Sequence, residues 1–208
     1  MLLRLFTIAL VLACFSVLAA CSGSSDGGSG GVAPGLTPQG RIVTLDANGD
    51  VPDVGIDTGS GSNAASFKRI VNGGGFAYQM GRVRNSNEFL GVAGILPDSQ
   101  VGASPTVATA TYSGRYDLAY ADSNRFDRNV SGNITLDADF NGGTLTGQSG
   151  GLTVNGSITG QSIGGTASYG GVNAGLTGRI GNDRAVGAFA GNTNRKVLAG
   201  GFIAERDN

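Results

Sequence analysis

Residues 106–120 read TVATATYSGRYDLAY, and the alternation of side chains along this stretch decides the fold. Its even positions, from Ala108 to Tyr120, are mostly Ala, Tyr and Leu. Its odd positions, from Thr109 to Asp117, are Thr, Ser, Arg and Asp. A two-residue period places alternate side chains on opposite faces of a β-strand. The stretch therefore predicts a strand with one face in a core and the other in water.

Seven similar runs follow, and together they predict an all-β fold. Only a few residues separate them, which requires antiparallel neighbours in a meander. Closure into a barrel removes the two bare edges of a long meander, and eight strands leave an interior that side chains fill. We therefore expect a filled, soluble, eight-stranded antiparallel barrel at 100–208. The strands after the first are expected at 128–140, 143–148, 152–160, 163–170, 172–180, 184–191 and 197–205.

The two-residue alternation along each strand also assigns side chains to the inner and outer faces of the barrel. Phe140, Phe189 and Phe202 are expected inside, whereas Asp137 and Thr153 are expected on the solvated outer face. The remaining charges around the first two strands are typical of an ordinary mixed-charge surface. They are Asp117, Asp122, Asp127, Arg115, Arg125 and Arg128.

A smaller β segment precedes the barrel. Strands are expected at Phe67–Val71, Phe76–Arg84 and Phe89–Leu96. They form an upstream, handle-like subdomain at 67–99 that packs against the barrel or extends it.

The upstream segment also supplies the candidate ligand-binding residues, which are Tyr78, Arg82 and Arg84. A filled barrel offers only loops, rims and adjoining elements as a binding surface, and aromatic and Arg side chains dominate binding hot spots. The alternative is that the aromatic rings pack on the barrel while the arginines are merely solvated. A site on the barrel loops, at 123–128 or 192–195, is the competing location.

The N-terminus has the order of a secretory signal. Arg4 is followed by an apolar run from Leu5 to Val17, and small residues precede Cys21. The run falls short of the roughly 20 residues that cross a bilayer as a helix, which favours a cleaved signal at 1–20. The stretch LAAC at 18–21 resembles the bacterial lipobox, whose cysteine is acylated and becomes the first mature residue. An ordinary signal peptide with a chance cysteine is the alternative.

The lipobox resemblance implies a covalent lipid such as palmitate on Cys21, export by the lipoprotein machinery and attachment to a membrane. Residues 21–37 are rich in Gly and Ser, cannot bury apolar surface and are expected to form a disordered, flexible tether. Ser22, rather than Asp, follows the cysteine, which in Gram-negative lipoproteins favours the outer membrane.

Residues 38–66 are expected to be polar and irregular, and they hold a weak calcium candidate. Its oxygen ligands would be Asp46, Asn48, Asp50 and Asp57. The pattern departs from a calcium loop because the sixth position is Val51 and the last ligand is Asp instead of Glu. A turn-rich polar loop is the alternative.

Composition disfavours catalysis and nucleic-acid binding. The chain has no His, and Cys14, the only cysteine besides Cys21, lies inside the predicted signal. Sites that need Cys or His, such as zinc centres and Ser-His-Asp triads, are therefore excluded. Glu88 and Glu205 are the only glutamates, and 14 basic residues against 15 acidic ones give no reason to expect nucleic acid. We expect no enzyme, no metal and no cofactor besides the lipid.

Five motifs in order resemble the barrel of the transferrin-binding protein B and factor H-binding protein family. They are ATATYSG at 108–114, ADFNGGTLTG at 138–147, GTASYGG at 165–171, VGAFAG at 186–191 and LAGGF at 198–202. The loop at 192–197 departs from the family pattern. Only one barrel is present, whereas transferrin-binding protein B has two lobes, each with a handle and a barrel.

The resemblance implies a surface lipoprotein that binds a host protein or a small ligand through loops or the handle-like segment. We accordingly expect a lipid-anchored outer-membrane binding protein, either at the cell surface or on the periplasmic face. The alternative is a structural envelope lipoprotein, or an accessory subunit of an outer-membrane complex, without a diffusible ligand.

Overall fold

The computed structural model describes residues 32–60 and 62–207, and all regular structure within these ranges is β-strand. The predicted signal at 1–20, Cys21 and the tether as far as residue 31 lie outside the described residues. None of the residues described forms a helix that is long and apolar enough to cross a membrane. The strands are β1 (Thr37–Ile42), β2 (Ala64–Val71), β3 (Gly74–Arg82), β4 (Glu88–Ile95), β5 (Thr109–Ala121), β6 (Phe126–Asp139), β7 (Thr144–Ser149), β8 (Leu152–Thr159), β9 (Ser162–Tyr169), β10 (Val172–Ile180), β11 (Arg184–Thr193) and β12 (Lys196–Arg206).

Strands β5 to β12 form a closed barrel in the order β10-β11-β12-β5-β6-β7-β8-β9. All neighbours are antiparallel, and β12 closes the barrel on β5, with Arg206 opposite Tyr112 and Val197 opposite Ala121. The all-β prediction and the eight-stranded meander are confirmed, with strand bounds within a few residues of those expected. Closure leaves the barrel without a free edge.

The barrel interior is filled with side chains. Phe189 and Phe202 are fully buried there, as predicted, in one cluster with Tyr112, Leu118 and Leu136. Phe140 follows β6 directly and is partly buried against the same cluster. The Tyr112 hydroxyl donates a hydrogen bond to the Gly181 carbonyl at 2.8 Å, which satisfies the one polar atom of this buried ring. The barrel is therefore a packed scaffold.

A four-stranded sheet lies outside the barrel in the order β1-β4-β3-β2. Strands β2, β3 and β4 are the three predicted upstream strands. Strand β1 lies where an irregular segment was expected, and it pairs in parallel with β4, from Thr37 opposite Glu88 to Ile42 opposite Ala93. The chain is packed even earlier than β1, since Val32 is buried and donates its N–H to the Asp122 carbonyl. The expected tether at 21–37 therefore gives way to packed structure by residue 32.

The sheet is seated on the outer face of β11, β12 and β5, which we call the sheet–barrel interface. The barrel contributes small residues there, including Ala119, Ala188 and Ala199, and the sheet contributes Phe76 and Met80. Small side chains on the barrel let the backbones approach closely while the large sheet residues fill the gap. This part of the barrel is therefore buried on both faces, and its outer face is not solvated as the alternation predicted.

The turn between β2 and β3 is fixed to the barrel by Arg184. This β11 residue is 9% exposed, and its Nη1 donates hydrogen bonds to the carbonyls of Val71 and Asn72, each at 2.7 Å. Hydrogen bonds from a charged donor are stronger than neutral ones. The sheet is thus held by polar contacts at its turn as well as by apolar packing.

Gly201→Ala should lower the free energy of unfolding by about 1–3 kcal/mol, the usual cost of overpacking. A Cβ atom at Gly201 would lie 2.4 Å from the buried ring of Phe76, which is too close for any relaxed contact. Urea unfolding of the two proteins measures the difference.

Gly175→Ala is the matched control, since a Cβ atom there would lie 3.9 Å from its nearest neighbour, the Ala190 carbonyl oxygen. It should be neutral or slightly stabilising, because alanine restricts the unfolded chain. Equal losses in Gly201→Ala and Gly175→Ala would contradict the close approach of sheet and barrel.

Candidate functional site

Tyr78 is the predicted site residue that the structure places most differently. Its side chain is fully buried in the sheet–barrel interface, where its ring stacks on Phe67 with centroids 5.6 Å apart. The Tyr78 hydroxyl lies 3.5 Å from the Arg128 carbonyl, to which it donates, and burial raises the pKa of the phenol. A ring buried in this way cannot contact a ligand. The alternative interpretation, in which the upstream aromatic residues pack on the barrel, is the one observed.

Arg82 and Arg84 are both exposed, as a binding role requires. The Arg84 Nη2 donates to both carboxylate oxygens of Asp53, at 3.1 and 3.0 Å. The pKa of Asp53 is lowered, first by the backbone N–H of Gly55 and then by Arg84. Arg82 has no ion-pair partner among the described residues. Arg84 is therefore partly occupied by an internal contact, whereas Arg82 is free.

The calcium candidate does not come together as a metal site. Asp46 accepts the backbone N–H groups of Asn48 and Asp50 at 2.9 and 2.8 Å, and Asp57 accepts that of Gly59 at 3.1 Å. Within 32–60 and 62–207, no three His, Cys, Asp or Glu residues lie close enough together to hold a metal ion. These oxygens stabilise turns instead, as the loop alternative expects.

The acidic segment from Asp46 to Asp57, which we call the strap, crosses the sheet face that points away from the barrel. Asp50 forms an ion pair with Lys68 of β2, and Asp53 forms the one with Arg84 already described. Just after Asp53 along the chain, Ile56 is buried in a small cluster with Leu90 and Val92 of β4. One face of the sheet is thus covered by the barrel and the other by this strap.

A groove that the sequence did not predict lies between β2 and the outer surface of the barrel. Its volume is about 280 Å³. Apolar and small residues, two arginines and one glutamate line it, and we call it the β2 groove. The lining residues are Arg69, Val71, Ser113, Gly114, Arg115, Ile203 and Glu205. Alternation correctly places Arg115 outward, but its position beside β2 depends on where the sheet docks, for which the sequence carries no local signal.

The charges of the β2 groove are unequally satisfied. Arg69 donates from Nε to Asp117 at 2.8 Å, and the Asp117 side chain is only 2% exposed. Asp117 was expected on a mixed-charge surface, but the docked sheet buries it. Arg115 is exposed and has no ion-pair partner in the described part of the chain. The groove therefore presents the unpaired guanidinium of Arg115 and the unpaired carboxylate of Glu205.

A second free arginine lies at the start of β2. Arg128 donates from Nη2 to the Asn63 side chain at 3.0 Å, and its guanidinium sits 5.7 Å above the ring of Phe126. The neighbouring carboxylate, Asp127, is engaged by Arg125. Arg128 and Arg115 thus flank β2 with positive charge at its two ends.

The loop candidates at 123–128 and 192–195 adjoin the point where the described chain begins. Residues 32–36 share a cavity of about 390 Å³ with Ser123, Asn194 and Arg195. Nearby, the Tyr120 hydroxyl donates to Asp122 at 3.2 Å. Burial, followed by the Asp122 charge, raises the pKa of Tyr120 to about 12. This end of the barrel therefore lies next to residues 32–36, where the described chain begins.

No known protein family and no curated protein matches the sequence. Solved structures do match. Transferrin-binding protein B from serogroup B Neisseria meningitidis is 16% identical, with 74% of this chain and 37% of that chain covered and a TM-score of 0.46. The apo haemoglobin receptor HpuA from Kingella denitrificans is 12% identical, with 83% and 94% covered and a TM-score of 0.31.

This chain spans about 37% of the length of the transferrin-binding protein B structure. The fold rests on the strand pairing described above, and that pairing gives the eight-stranded barrel with an adjoining sheet that the motifs imply.

The exposed arginines define what the surface can do chemically. A guanidinium offers several donors in a fixed plane and binds carboxylates or phosphates through paired hydrogen bonds. Arg82, Arg115 and Arg128 are exposed and without an ion-pair partner among the described residues. The arrangement is suited to recognising an acidic ligand on a rigid platform.

Proposed function

We propose that this protein is a non-enzymatic, lipid-anchored binding protein of the outer membrane that presents its sheet and barrel to a host protein or a small ligand. The filled barrel is the observation that carries this proposal. Its interior is packed with Phe, Tyr and Leu side chains, so only the outer surface is available to a ligand. The arginines beside the sheet give that surface its chemistry.

The packed interior also supports a role without catalysis. A hydrolytic site based on carboxylates needs two of them around a cleft, about 5–10 Å apart. The two glutamates, Glu88 and Glu205, lie on β4 and β12, and the buried Asp117 is paired with Arg69. Arg82, Arg115 and Arg128, which are exposed and have no ion-pair partner among the described residues, are suited to recognition.

The anchor is tested by Cys21→Ser, which removes the acylated side chain. We expect the protein to move from the membrane fraction to the soluble fraction and to lose labelling by a radioactive fatty acid. Cys14→Ser is the matched control, because Cys14 lies within the predicted signal, and it should leave both properties unchanged. Persistent membrane association of Cys21→Ser would refute the lipoprotein assignment.

The binding role is tested with the same Cys21→Ser protein used as immobilised bait. Host serum proteins and a panel of small ligands should yield at least one molecule that is retained. Protease treatment of intact cells should remove the wild-type protein if it faces the exterior. If the protein is protected from protease and the immobilised bait retains no molecule, a structural envelope lipoprotein would be favoured instead.

A further inference from the structure

Strand β2 is an edge of the four-stranded sheet and has a free side. Within the described ranges it pairs only with β3, from Ala64 opposite Gly81 to Val71 opposite Gly74. A free edge presents unpaired backbone N–H and C=O groups, which form a template for another strand. Strand addition to such an edge is a recurring mode of peptide recognition.

The turn after β2 fixes which backbone groups face the free side. Asn72 and Gly73 have φ angles of 48° and 76°, as a two-residue type I′ hairpin requires. The flanking residues of such a turn form a hydrogen-bonded pair, and the pairs then alternate along the ladder. The N–H and C=O groups of Ser66, Lys68 and Ile70 consequently point away from β3.

The side chains of β2 leave this edge accessible. Phe67 and Val71 face the barrel and pack against it, whereas Lys68 lies on the opposite face. Lysine often protects an edge strand from pairing. Here the Lys68 ammonium is held by the Asp50 carboxylate and the Asn48 carbonyl, so its charge is already neutralised.

The charged residues beside the edge determine which sign of charge a partner strand should carry. An added strand would lie along the β2 groove, with Arg115 at one end and Arg128 at the other. Asp117, beside the groove, is paired with Arg69, whereas Glu205, which lines the groove, has no ion-pair partner among the described residues. Glu205 lies at the turn end, where the Asn72 side chain is 3.5 Å from it. Two unpaired arginines, Arg115 and Arg128, therefore outweigh the one unpaired carboxylate, Glu205, along the path.

We infer that the free edge of β2 binds an extended, acidic segment of a partner polypeptide by strand addition. Backbone hydrogen bonds would form at Ser66, Lys68 and Ile70, and acidic side chains would meet Arg115 and Arg128. A second copy of this chain is disfavoured, because β2 itself (AASFKRIV) carries no acidic side chain that could meet Arg115 and Arg128. This inference rests on the proposed binding function and assigns it a surface and a partner chemistry.

The probe is an N-acetylated, C-amidated octapeptide of alternating Val and Glu, titrated into the mature Cys21→Ser protein. The matched peptide has Lys in place of Glu, and a third has N-methyl groups on alternate residues. We expect the Glu peptide to bind at least tenfold more tightly than either of the others. That ratio corresponds to about 1.4 kcal/mol.

Two variants separate strand addition from charge alone. Ser66→Pro removes one outward N–H, which an edge strand tolerates, and should weaken Glu-peptide binding about tenfold while Ser66→Ala does not. Arg115→Glu should abolish the preference for Glu over Lys. Arg179→Glu, a charge reversal on β10 that lies away from the groove, should preserve it. Thermal melts confirm that each variant is folded.

Several results would overturn the inference. One is equal binding of the Glu and Lys peptides, and another is no binding of either peptide. The third is full affinity for the Glu peptide in Ser66→Pro together with loss of that affinity in Arg115→Glu. The last would mean that the groove binds acidic groups without strand addition. A bait that retains a host molecule equally well with wild-type β2 and with Ser66→Pro would leave the binding function standing and place its surface elsewhere.

Discussion

Phe202→Ala should lower the free energy of unfolding by about 3–5 kcal/mol, the cost of removing a buried phenyl ring and leaving a cavity. The ring is fully buried in the barrel core. It lies directly against the backbone of β11, where a Cβ atom at Gly187 would come within 2.4 Å of it. Because Gly187, the opposing residue on β11, has no side chain, the substitution leaves a cavity against that backbone. Urea unfolding measures the loss.

Phe189→Ala should show a loss of the same size, since Phe189 is also fully buried in this core. Whole domains are stable by only about 5–15 kcal/mol, so either change should lower the melting temperature clearly. Thr153→Ser and Asp137→Asn are the controls on the outer surface, and they should change little. Unchanged melting temperatures for both Phe variants would refute the assignment of the barrel faces.

The barrel could be predicted because the sequence signals that specify it are local. Each strand carries its own period of two, and short connections force consecutive strands to pair. The strand at 152–159, for example, alternates Leu152 and Val154 with Thr153 and Asn155, and the structure buries the first pair fully. The order of pairing then follows from connectivity alone. No long-range information was needed.

The sheet was harder because its pairing and its packing are non-local. Strand β1 contains Pro38 and Gly40, which weaken any strand signal, and its partner β4 begins only at Glu88. Gly40 is needed for packing, since a Cβ atom there would lie 2.3 Å from the backbone of Gly191 on the barrel. Gly40, which weakens the strand signal in the sequence, thus lets β1 pack closely on the barrel.

The burial of Tyr78 could not be predicted from the sequence for a related reason. An aromatic residue that faces solvent and one that faces a second layer have the same pattern along a strand. Tyr78 belongs to the second kind, because the sheet is covered by the barrel. Asp117 was misplaced likewise, since the outer face of β5 is solvated at Arg115 and buried two residues later. Only docking of the two layers distinguishes these positions.

The ion pair between Arg69 and Asp117 should respond asymmetrically to substitution. Arg69→Met should lower the free energy of unfolding by about 3 kcal/mol, at the lower end for breaking a buried pair. The lower end applies because the Arg69 side chain is 28% exposed, whereas that of Asp117 is 2% exposed. Without the arginine, the buried carboxylate of Asp117 has no partner. The energy of that isolated charge accounts for most of the loss in unfolding free energy.

Asp117→Asn should cost only about 1 kcal/mol, the value of one ordinary hydrogen bond. The amide oxygen can still accept from Arg69, and the partly exposed guanidinium can turn toward water. Arg69→Met combined with Asp117→Leu should recover most of the loss, since no charge is then left buried. Chemical denaturation of the three variants supplies the comparison. Equal and small losses in both single variants would mean that water reaches Asp117, and that the sheet is not closely seated on the barrel at this point.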